Sequence, residues 1–314
     1  MERLRYNRIR LANILLSWIK AMMKKIFYRQ RADFERSSAA RDKELTFPED
    51  VSETKDIRYS ADACDAHRMD IFRPKGMEDE ILPVIVNIHG GGLLLGSKEF
   101  NRFYCARLSE QGFLVYSLEY RLVPDCTIFD QLSDLALAME AIRERLSDDQ
   151  GDAEHVYAVA DSGGACLLTY LAAMQNNREL ADAAQITPPQ LPLRALGLIS
   201  GMFYTTGFDK IGLFLPKYLY GKNYKKGTFA PYVNPEDPAV VGSLPPCYLV
   251  TSKKDHLQHY TLRFTRALAD NHVTYRLQNF HKSPQLTHAF SVFFPFLEES
   301  DKSIQSMVDF LRKY

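Results

Sequence analysis

The chain has 314 residues, of which 46% are hydrophobic and 25% are charged, and its formal net charge is zero. A chain of this length can bury a large core, so we expect one large α/β domain or two smaller ones. The balanced charge argues against a protein that binds nucleic acid along its whole length.

The five cysteines are odd in number, scattered along the chain and without a CxxC pair. This usage favours reduced, mostly buried thiols in a cytoplasmic protein over a disulfide framework or a zinc site. The cysteines are Cys64, Cys105, Cys126, Cys166 and Cys247.

The N-terminal segment is basic, with twelve Lys or Arg and four Asp or Glu in residues 1–43. Apolar residues recur there at helical spacing, which predicts an amphipathic basic helix that either lies on the main domain, the reading we favour, or touches a membrane surface. Lys20 interrupts the apolar run and no cleavage site follows, so we do not expect a signal peptide. The apolar stripe consists of Leu11, Leu15, Trp18, Ile19, Met22 and Ile26.

From about residue 55, strand patterns alternate with helix patterns, which predicts a mostly parallel sheet of about eight strands with helices on both sides. Residues 58–74 are predicted to form two antiparallel strands. The other predicted strands are residues 83–89, 113–120, 155–160, 195–200, 247–252 and 273–280. The predicted helices include residues 129–146, residues 257–269 and a closing helix to residue 314.

Residues 201–241 interrupt this alternation with a segment rich in aromatic side chains. A connection of this length inside a compact domain is usually functional. We predict a lid or pocket wall, and a helical excursion packed on the sheet is an equally open alternative.

The stretch YAVADSGGACLLTYLAAM predicts a buried strand, a tight corner of small residues and a helix, with Ser162 at the corner. Such a corner exposes a serine hydroxyl beside the amides of a helix N-terminus, as in a nucleophile elbow. A phosphate-binding turn is the alternative, but the glycine spacing does not fit one.

Upstream, NIHGGGLLLG places three glycines after His89 at the end of a predicted central strand. Glycines let backbone N–H groups approach a ligand closely, which an oxyanion hole requires. A serine nucleophile also needs a base and a group that orients the base. His288 in the loop before the last helix is our candidate base, His281 is its rival, and Asp255 after a central strand is the candidate acid. His256 and His259 lack a supporting ligand cluster, so we expect no metal site.

These motifs resemble those of α/β-hydrolase carboxylesterases of the hormone-sensitive-lipase-like group. The resemblance covers roughly residues 55–314 and five motifs in order. They read His89-Gly90-Gly91-Gly92, Glu119-Tyr120-Arg121-Leu122-Val123-Pro124, Ala160-Asp161-Ser162-Gly163-Gly164-Ala165, Asp255-His256-Leu257 and His288-Ala289-Phe290.

The resemblance implies an α/β-hydrolase fold with Ser162 as nucleophile, His288 as base and Asp255 as orienting acid. It also implies an oxyanion hole built from the N–H groups of Gly91, Gly92 and Gly163. His89 is expected to brace the glycine loop, and Tyr120 and Arg121 to be structural.

The chain departs from the family pattern at four positions, none of which removes a catalytic atom. Ala160 replaces a glycine, Gly163 an alanine, His256 a proline and Ala289 a glycine. These departures concern the subfamily rather than the chemistry.

The predicted function is a serine carboxylesterase acting on small, short-acyl esters, without cofactor or metal and without nucleic acid as a partner. Residues 1–45 are expected to form a helical cap segment and residues 46–314 the catalytic domain. A peptidase or amidase on the same fold and a non-catalytic small-molecule receptor are the alternatives.

Overall fold

The computed structural model describes the backbone of residues 2–314 and the side chains of residues 22–314. Its contacts divide the chain into two compact units, residues 1–44 and residues 45–314. The first unit is built on the helix α1 (Glu2–Asp42). Of the predicted apolar stripe, the side chains at positions 11, 15, 18 and 19 lie outside the described residues, and Met22 and Ile26 are exposed. None of the helices described here has both the length and the apolar character needed to cross a bilayer.

Within residues 45–314 the structure forms a sheet of eight strands, which confirms the predicted number and the mostly parallel arrangement. The order across the sheet is β1-β2-β4-β3-β5-β6-β7-β8, and only the pairs β1–β2 and β2–β4 are antiparallel. The strands are β1 (Val51–Arg58), β2 (Arg68–Pro74), β3 (Leu82–Ile88), β4 (Leu114–Leu118), β5 (Gly151–Asp161), β6 (Leu196–Ile199), β7 (Cys247–Ser252) and β8 (Tyr275–Phe280).

Helices connect the parallel strands and cover the sheet. They are α2 (Arg102–Ser109), α3 (Ile128–Arg145), α4 (Ser162–Asn176), α5 (Arg178–Ala184), α6 (Lys210–Phe214), α7 (Pro216–Leu219), α8 (Pro238–Val241), α9 (Gln258–Asp270), α10 (Phe290–Phe293) and α11 (Glu298–Leu311).

The first strand was predicted in the wrong place. The sequence placed both antiparallel strands within residues 58–74, whereas β1 ends at Arg58 and a turn precedes β2. That turn is held by Asp62, which accepts hydrogen bonds from the Cys64 N–H and the His67 imidazole. β1 escaped prediction because it lies at the sheet edge with mostly half-exposed or exposed polar residues, so it has no apolar alternation.

The central strands are buried on both faces, as continuous apolar runs predict. On one face, Val84, Val86 and Ile88 of β3 join a hydrophobic cluster that includes α3, α4 and α9. On the other face, α11 reaches the sheet, since a Cβ on Gly197 of β6 would meet the Met307 sulfur. Helices on both faces fix the strands, and thus the loops at their carboxyl ends.

Residues 201–241 contain α6, α7 and α8 and pack partly into the core. Tyr220 and Phe229 are buried in the same cluster as α4, whereas Phe208 and Phe214 are exposed. Part of the segment therefore belongs to the packed body of the domain and part faces solvent.

Candidate active site

Ser162 stands at the turn between β5 and α4, near the centre of the sheet. Its backbone adopts φ +47°, in the left-handed region that non-glycine residues rarely occupy. Such strain persists only where the surrounding structure enforces it, and it is common at functional sites. The serine is the first residue of α4, so its hydroxyl lies beside the unpaired N–H groups of a helix N-terminus.

Close packing of α4 against β3 explains why small residues flank the serine. A Cβ on Gly164 would lie 2.3 Å from the Ile88 carbonyl oxygen and 2.5 Å from that of His89. Any side chain there would push the helix off the strand. The methyl group of Ala160 is accommodated in the core, where it is fully buried.

His288 lies between the serine and an acid. Its Nε2 is 2.9 Å from Ser162 Oγ, and its Nδ1 is 2.8 Å from Asp255 Oδ1. The structure thus brings together three side chains that are far apart in the sequence. Ser162 precedes Asp255 by 93 residues and His288 by 126, and Asp255 precedes His288 by 33. His281, the rival candidate, directly follows β8 and its side chain is exposed.

Asp255 is held in place by hydrogen bonds from β7 and from the turn that follows the strand. Its Oδ2 accepts a hydrogen bond from the Thr251 hydroxyl at 3.0 Å, and its Oδ1 accepts one from the Leu257 N–H at 2.8 Å. Burial acts to raise the pKa of this carboxyl, but the hydrogen bond and charge of His288 outweigh it and lower the pKa to about 2. The group is therefore ionised at neutral pH and able to orient the imidazole.

Two serines anchor the loop that carries His288, and sequence reasoning missed both. Ser252 at the end of β7 donates its hydroxyl to the Leu286 carbonyl. Ser200 accepts a hydrogen bond from the Ala289 N–H at 3.0 Å. Ser200 and Ala289 both have positive φ angles near +50°. A single serine after a strand carries no sequence signal, so this role is visible only in the folded structure.

The glycine loop after β3 lies against the start of α4. Gly91 and Gly92 have φ angles of +106° and +62°, which glycine adopts without strain. A Cβ on Gly163 would lie 2.8 Å from the Leu93 amide nitrogen and 3.0 Å from that of Gly92. The amides of the loop and of the helix N-terminus are therefore close together beside the serine.

Asp161, the residue before Ser162, holds this loop in place. Its Oδ1 accepts hydrogen bonds at 2.9 Å from the Gly90 N–H and from the Asn101 side-chain amide. Burial raises the pKa of this carboxyl, although the two donors act in the opposite direction. Asp161 belongs to the serine motif, but its contact with the glycine loop is visible only in three dimensions.

His89 supports the loop rather than facing the serine. Its Nδ1 is 2.8 Å from the Gly90 carbonyl oxygen and its Nε2 is 3.2 Å from a Glu119 carboxylate oxygen. Its ring stacks on Tyr120 at a centroid distance of 4.4 Å, and the Tyr120 hydroxyl donates to the His89 carbonyl at 2.7 Å. Arg121 forms an ion pair with Asp134.

The sequence model of the alpha/beta hydrolase fold family matches residues 85–292, more than half of the chain. The chain belongs to the α/β-hydrolase family. The family match confirms the fold that the motifs predicted, and it spans the serine turn, Asp255 and His288.

Among curated proteins, this α/β-hydrolase is similar to plant methylesterases. A probable isoprenylcysteine alpha-carbonyl methylesterase of Oryza sativa subsp. japonica is 27% identical over 199 residues, which cover 60% of the chain and 47% of the relative. A probable carboxylesterase of Arabidopsis thaliana is 24% identical over 143 residues, 43% of each protein. The chain thus spans about half the length of the curated relatives it matches.

Among solved structures, esterase B from Lactobacillus Rhamnosis (HN001) has a similar fold. It superposes with a TM-score of 0.87 and 24% sequence identity, covering 94% of this chain and 95% of the esterase. The similarity in fold therefore extends over nearly the whole chain.

A cavity of about 240 Å³ in the α/β-hydrolase domain is lined in part by residues of the segment 201–241, the insertion. Its walls include Phe129, Tyr220 and Phe229, and Ser162, Asp255 and His288 do not line it. This cavity is therefore separate from the cluster of Ser162, Asp255 and His288.

Another histidine, His256, lies at the edge of the site. Its ring centroid is 4.4 Å from that of His288, with an interplanar angle of 50°. Partial burial and the neighbouring His288 lower the pKa of this imidazole, although the residue is largely exposed. His256 is the residue after the acid, where the family pattern has a proline.

Proposed function

We propose that the chain is a serine carboxylesterase that hydrolyses small, short-acyl esters through an acyl-enzyme on Ser162. The observation that carries this proposal is the position of His288, within hydrogen-bond distance of both Ser162 Oγ and Asp255 Oδ1. A small-molecule receptor would not need a base at this place. The esterase names of relatives and structural neighbours favour an ester over an amide as substrate.

In the first half of the reaction, Ser162 attacks the ester carbonyl while its hydroxyl proton passes to His288 Nε2. Asp255 keeps the Nδ1 proton of His288 in place and stabilises the imidazolium that forms. The tetrahedral intermediate then collapses, and the departing alcohol takes the proton from Nε2. An acyl group remains on the serine.

In the second half, water takes the place of the alcohol. His288 accepts a proton from water as the water oxygen attacks the acyl-enzyme, and it returns that proton to Ser162 Oγ as the carboxylic acid leaves. All the atoms of this cycle come from substrate, water and the three side chains, so the proposal includes no metal or cofactor.

We assign the oxyanion hole to the N–H groups of Gly91, Gly92 and Gly163. The glycine loop and the first turn of α4 meet beside Ser162, and Asp161 holds the loop through Gly90. Loss of one such donor typically lowers turnover by a factor of about 10² to 10³.

We further propose that residues 1–45 form a helical cap segment and that part of residues 201–241 forms a wall of the substrate pocket. Met202 supports the second assignment, because its N–H donates to the Ser162 carbonyl at 2.9 Å. The insertion therefore begins directly at the nucleophile. A capped pocket favours small esters over long triglycerides.

The compartment we propose is the cytoplasm. The five cysteines are all free thiols, and Cys105, Cys166 and Cys247 are buried. Burial raises the pKa of each of these three thiols. Unpaired thiols suit a reducing compartment.

A panel of p-nitrophenyl esters of increasing acyl length tests the proposed function. We expect the highest kcat/KM for short acyl chains, and a fall by a factor on the order of 10⁴ or more in Ser162→Ala. A prenylcysteine methyl ester in the same panel tests whether this chain hydrolyses the substrate class named for the plant relatives. Full activity in Ser162→Ala would refute the proposal.

Two histidine variants serve as a matched pair in this assay. We expect His288→Ala to abolish turnover while retaining the circular dichroism spectrum of the wild type. His281→Ala should hydrolyse the same esters at the wild-type rate, since its side chain is exposed at the end of β8. The reverse result would assign the base to His281.

A further inference from the structure

Three potential metal ligands meet at the edge of the active site. One ligand atom each from Asp255, His256 and His288 lies within 4.8 Å of the other two. The set combines a carboxylate with two imidazoles, which is the donor chemistry of many zinc sites. Along the sequence no ligand cluster supports His256 and His259, whereas in the structure His288, 32 residues further along the chain, lies beside His256.

We propose that Asp255, His256 and His288 form a Zn²⁺ site, and that metal binding there withdraws His288 from Ser162. The binding part of this proposal stands on geometry alone, and the inhibitory part rests on the proposed function.

The ligands need only a small movement to bind. Zinc holds nitrogen and oxygen ligands at about 2.0–2.2 Å, so ligand atoms in a tetrahedral site lie roughly 3.4 Å apart. Asp255 is fixed by Thr251 and Leu257, but the His256 side chain is exposed. Rotation of that side chain can bring its imidazole to the other two groups, and solvent can fill the fourth position.

Coordination and catalysis exclude each other at His288. Its two ring nitrogens are already used, Nε2 toward Ser162 and Nδ1 toward Asp255. A nitrogen whose lone pair binds zinc cannot accept the serine proton, and a metal at Nδ1 displaces the hydrogen bond to Asp255. Either mode stops general-base catalysis, so the metal acts as a reversible inhibitor.

Isothermal titration calorimetry of the full chain with zinc chloride tests the binding. We expect one Zn²⁺ per wild-type chain, and at least a tenfold weaker Kd in His256→Asn. His259→Asn is the matched control, because His259 is exposed three residues further on and lies outside the ligand set. Its Kd should stay within about twofold of the wild type. Unfolding temperatures of the three proteins establish that the variants are folded.

The same three proteins are then assayed for ester hydrolysis with and without zinc, each against its own metal-free rate. His256→Asn should raise the half-inhibitory zinc concentration at least tenfold, and EDTA should restore wild-type activity. Equal zinc affinity in the wild type and His256→Asn would contradict the proposed site. So would a loss of zinc affinity in His259→Asn as large as that in His256→Asn. If the wild type hydrolyses no ester, the proposed function fails but calorimetry still decides the metal site.

Discussion

At the scale of single residues, the site depends on side chains that are held from several directions. Ser162 has a strained backbone, Asp255 accepts two hydrogen bonds besides that of His288, and Asp161 ties the glycine loop to the elbow. Such pre-organisation costs stability and favours catalysis, because the donors need not reorganise during reaction.

The low pKa of Asp255 predicts how the site contributes to stability. A folded pKa of about 2, below the usual 3.8, means that the ionised form is stabilised by the fold. This stabilisation, on the order of 2 kcal/mol, is fully present above about pH 4 and is lost as the pH falls toward 2.

The corresponding test is Asp255→Asn, which we expect to lower kcat by a factor on the order of 10³ to 10⁴. Its free energy of unfolding should lie below that of the wild type at pH 6, and the difference should shrink as the pH falls from 5 to 3. Urea unfolding at these pH values measures it. A difference that is constant with pH would show that the carboxylate is not specially stabilised in the folded chain.

The sequence could predict which three side chains lie together because each belongs to a motif with a mechanical role. Ser162 is preceded by a buried strand and followed by two glycines, and Asp255 and His288 follow strands on the same side. It could not identify Ser200, Ser252 or Asn101, whose function arises only when distant segments meet.

At the scale of elements, the glycine loop lies in close contact with the first turn of α4. A Cβ on Gly163 would approach the amide nitrogens of Leu93 and Gly92 to 2.8 and 3.0 Å. The alanine that the family pattern has here would therefore require the loop of this chain to move by a few tenths of an ångström.

We expect Gly163→Ala to lower kcat about tenfold, because small displacements of catalytic groups are costly. Gly76→Ala is the control: Gly76 has φ +79° and nothing within 4 Å of its added Cβ, and it lies in an exposed turn after β2. That variant should lose stability but keep wild-type turnover of p-nitrophenyl acetate. Unchanged kcat in Gly163→Ala would contradict the close approach of loop and helix.

The sequence predicted the buried central strands better than the exposed edge strand β1. β3, β7 and the buried second half of β5 are mostly apolar runs, and these strands were predicted within a few residues. β1 was missed because VSETKDIR is polar and lies at the sheet edge. The short helices α6 to α8 were predicted only as an insertion, since aromatic residues without a period do not distinguish a lid from a packed excursion.

At the scale of the whole molecule, the parallel order of β3, β5, β6, β7 and β8 is what creates the site. Loops at the carboxyl ends of parallel strands meet at one edge of the sheet, where open α/β sheets bind their ligands. The topology therefore brings the glycine loop, the serine, the acid and the histidine together from segments spread over about two hundred residues.

The central claim is that Ser162 is a nucleophile activated by His288. Incubation with diethyl p-nitrophenyl phosphate, followed by intact-mass and peptide-mass measurement, tests it most directly. We predict one diethylphosphoryl group per wild-type chain, on Ser162, no adduct in Ser162→Ala, and labelling slowed at least a hundredfold in His288→Ala. An adduct at another residue, or ester hydrolysis that continues after Ser162 is fully labelled, would contradict the account.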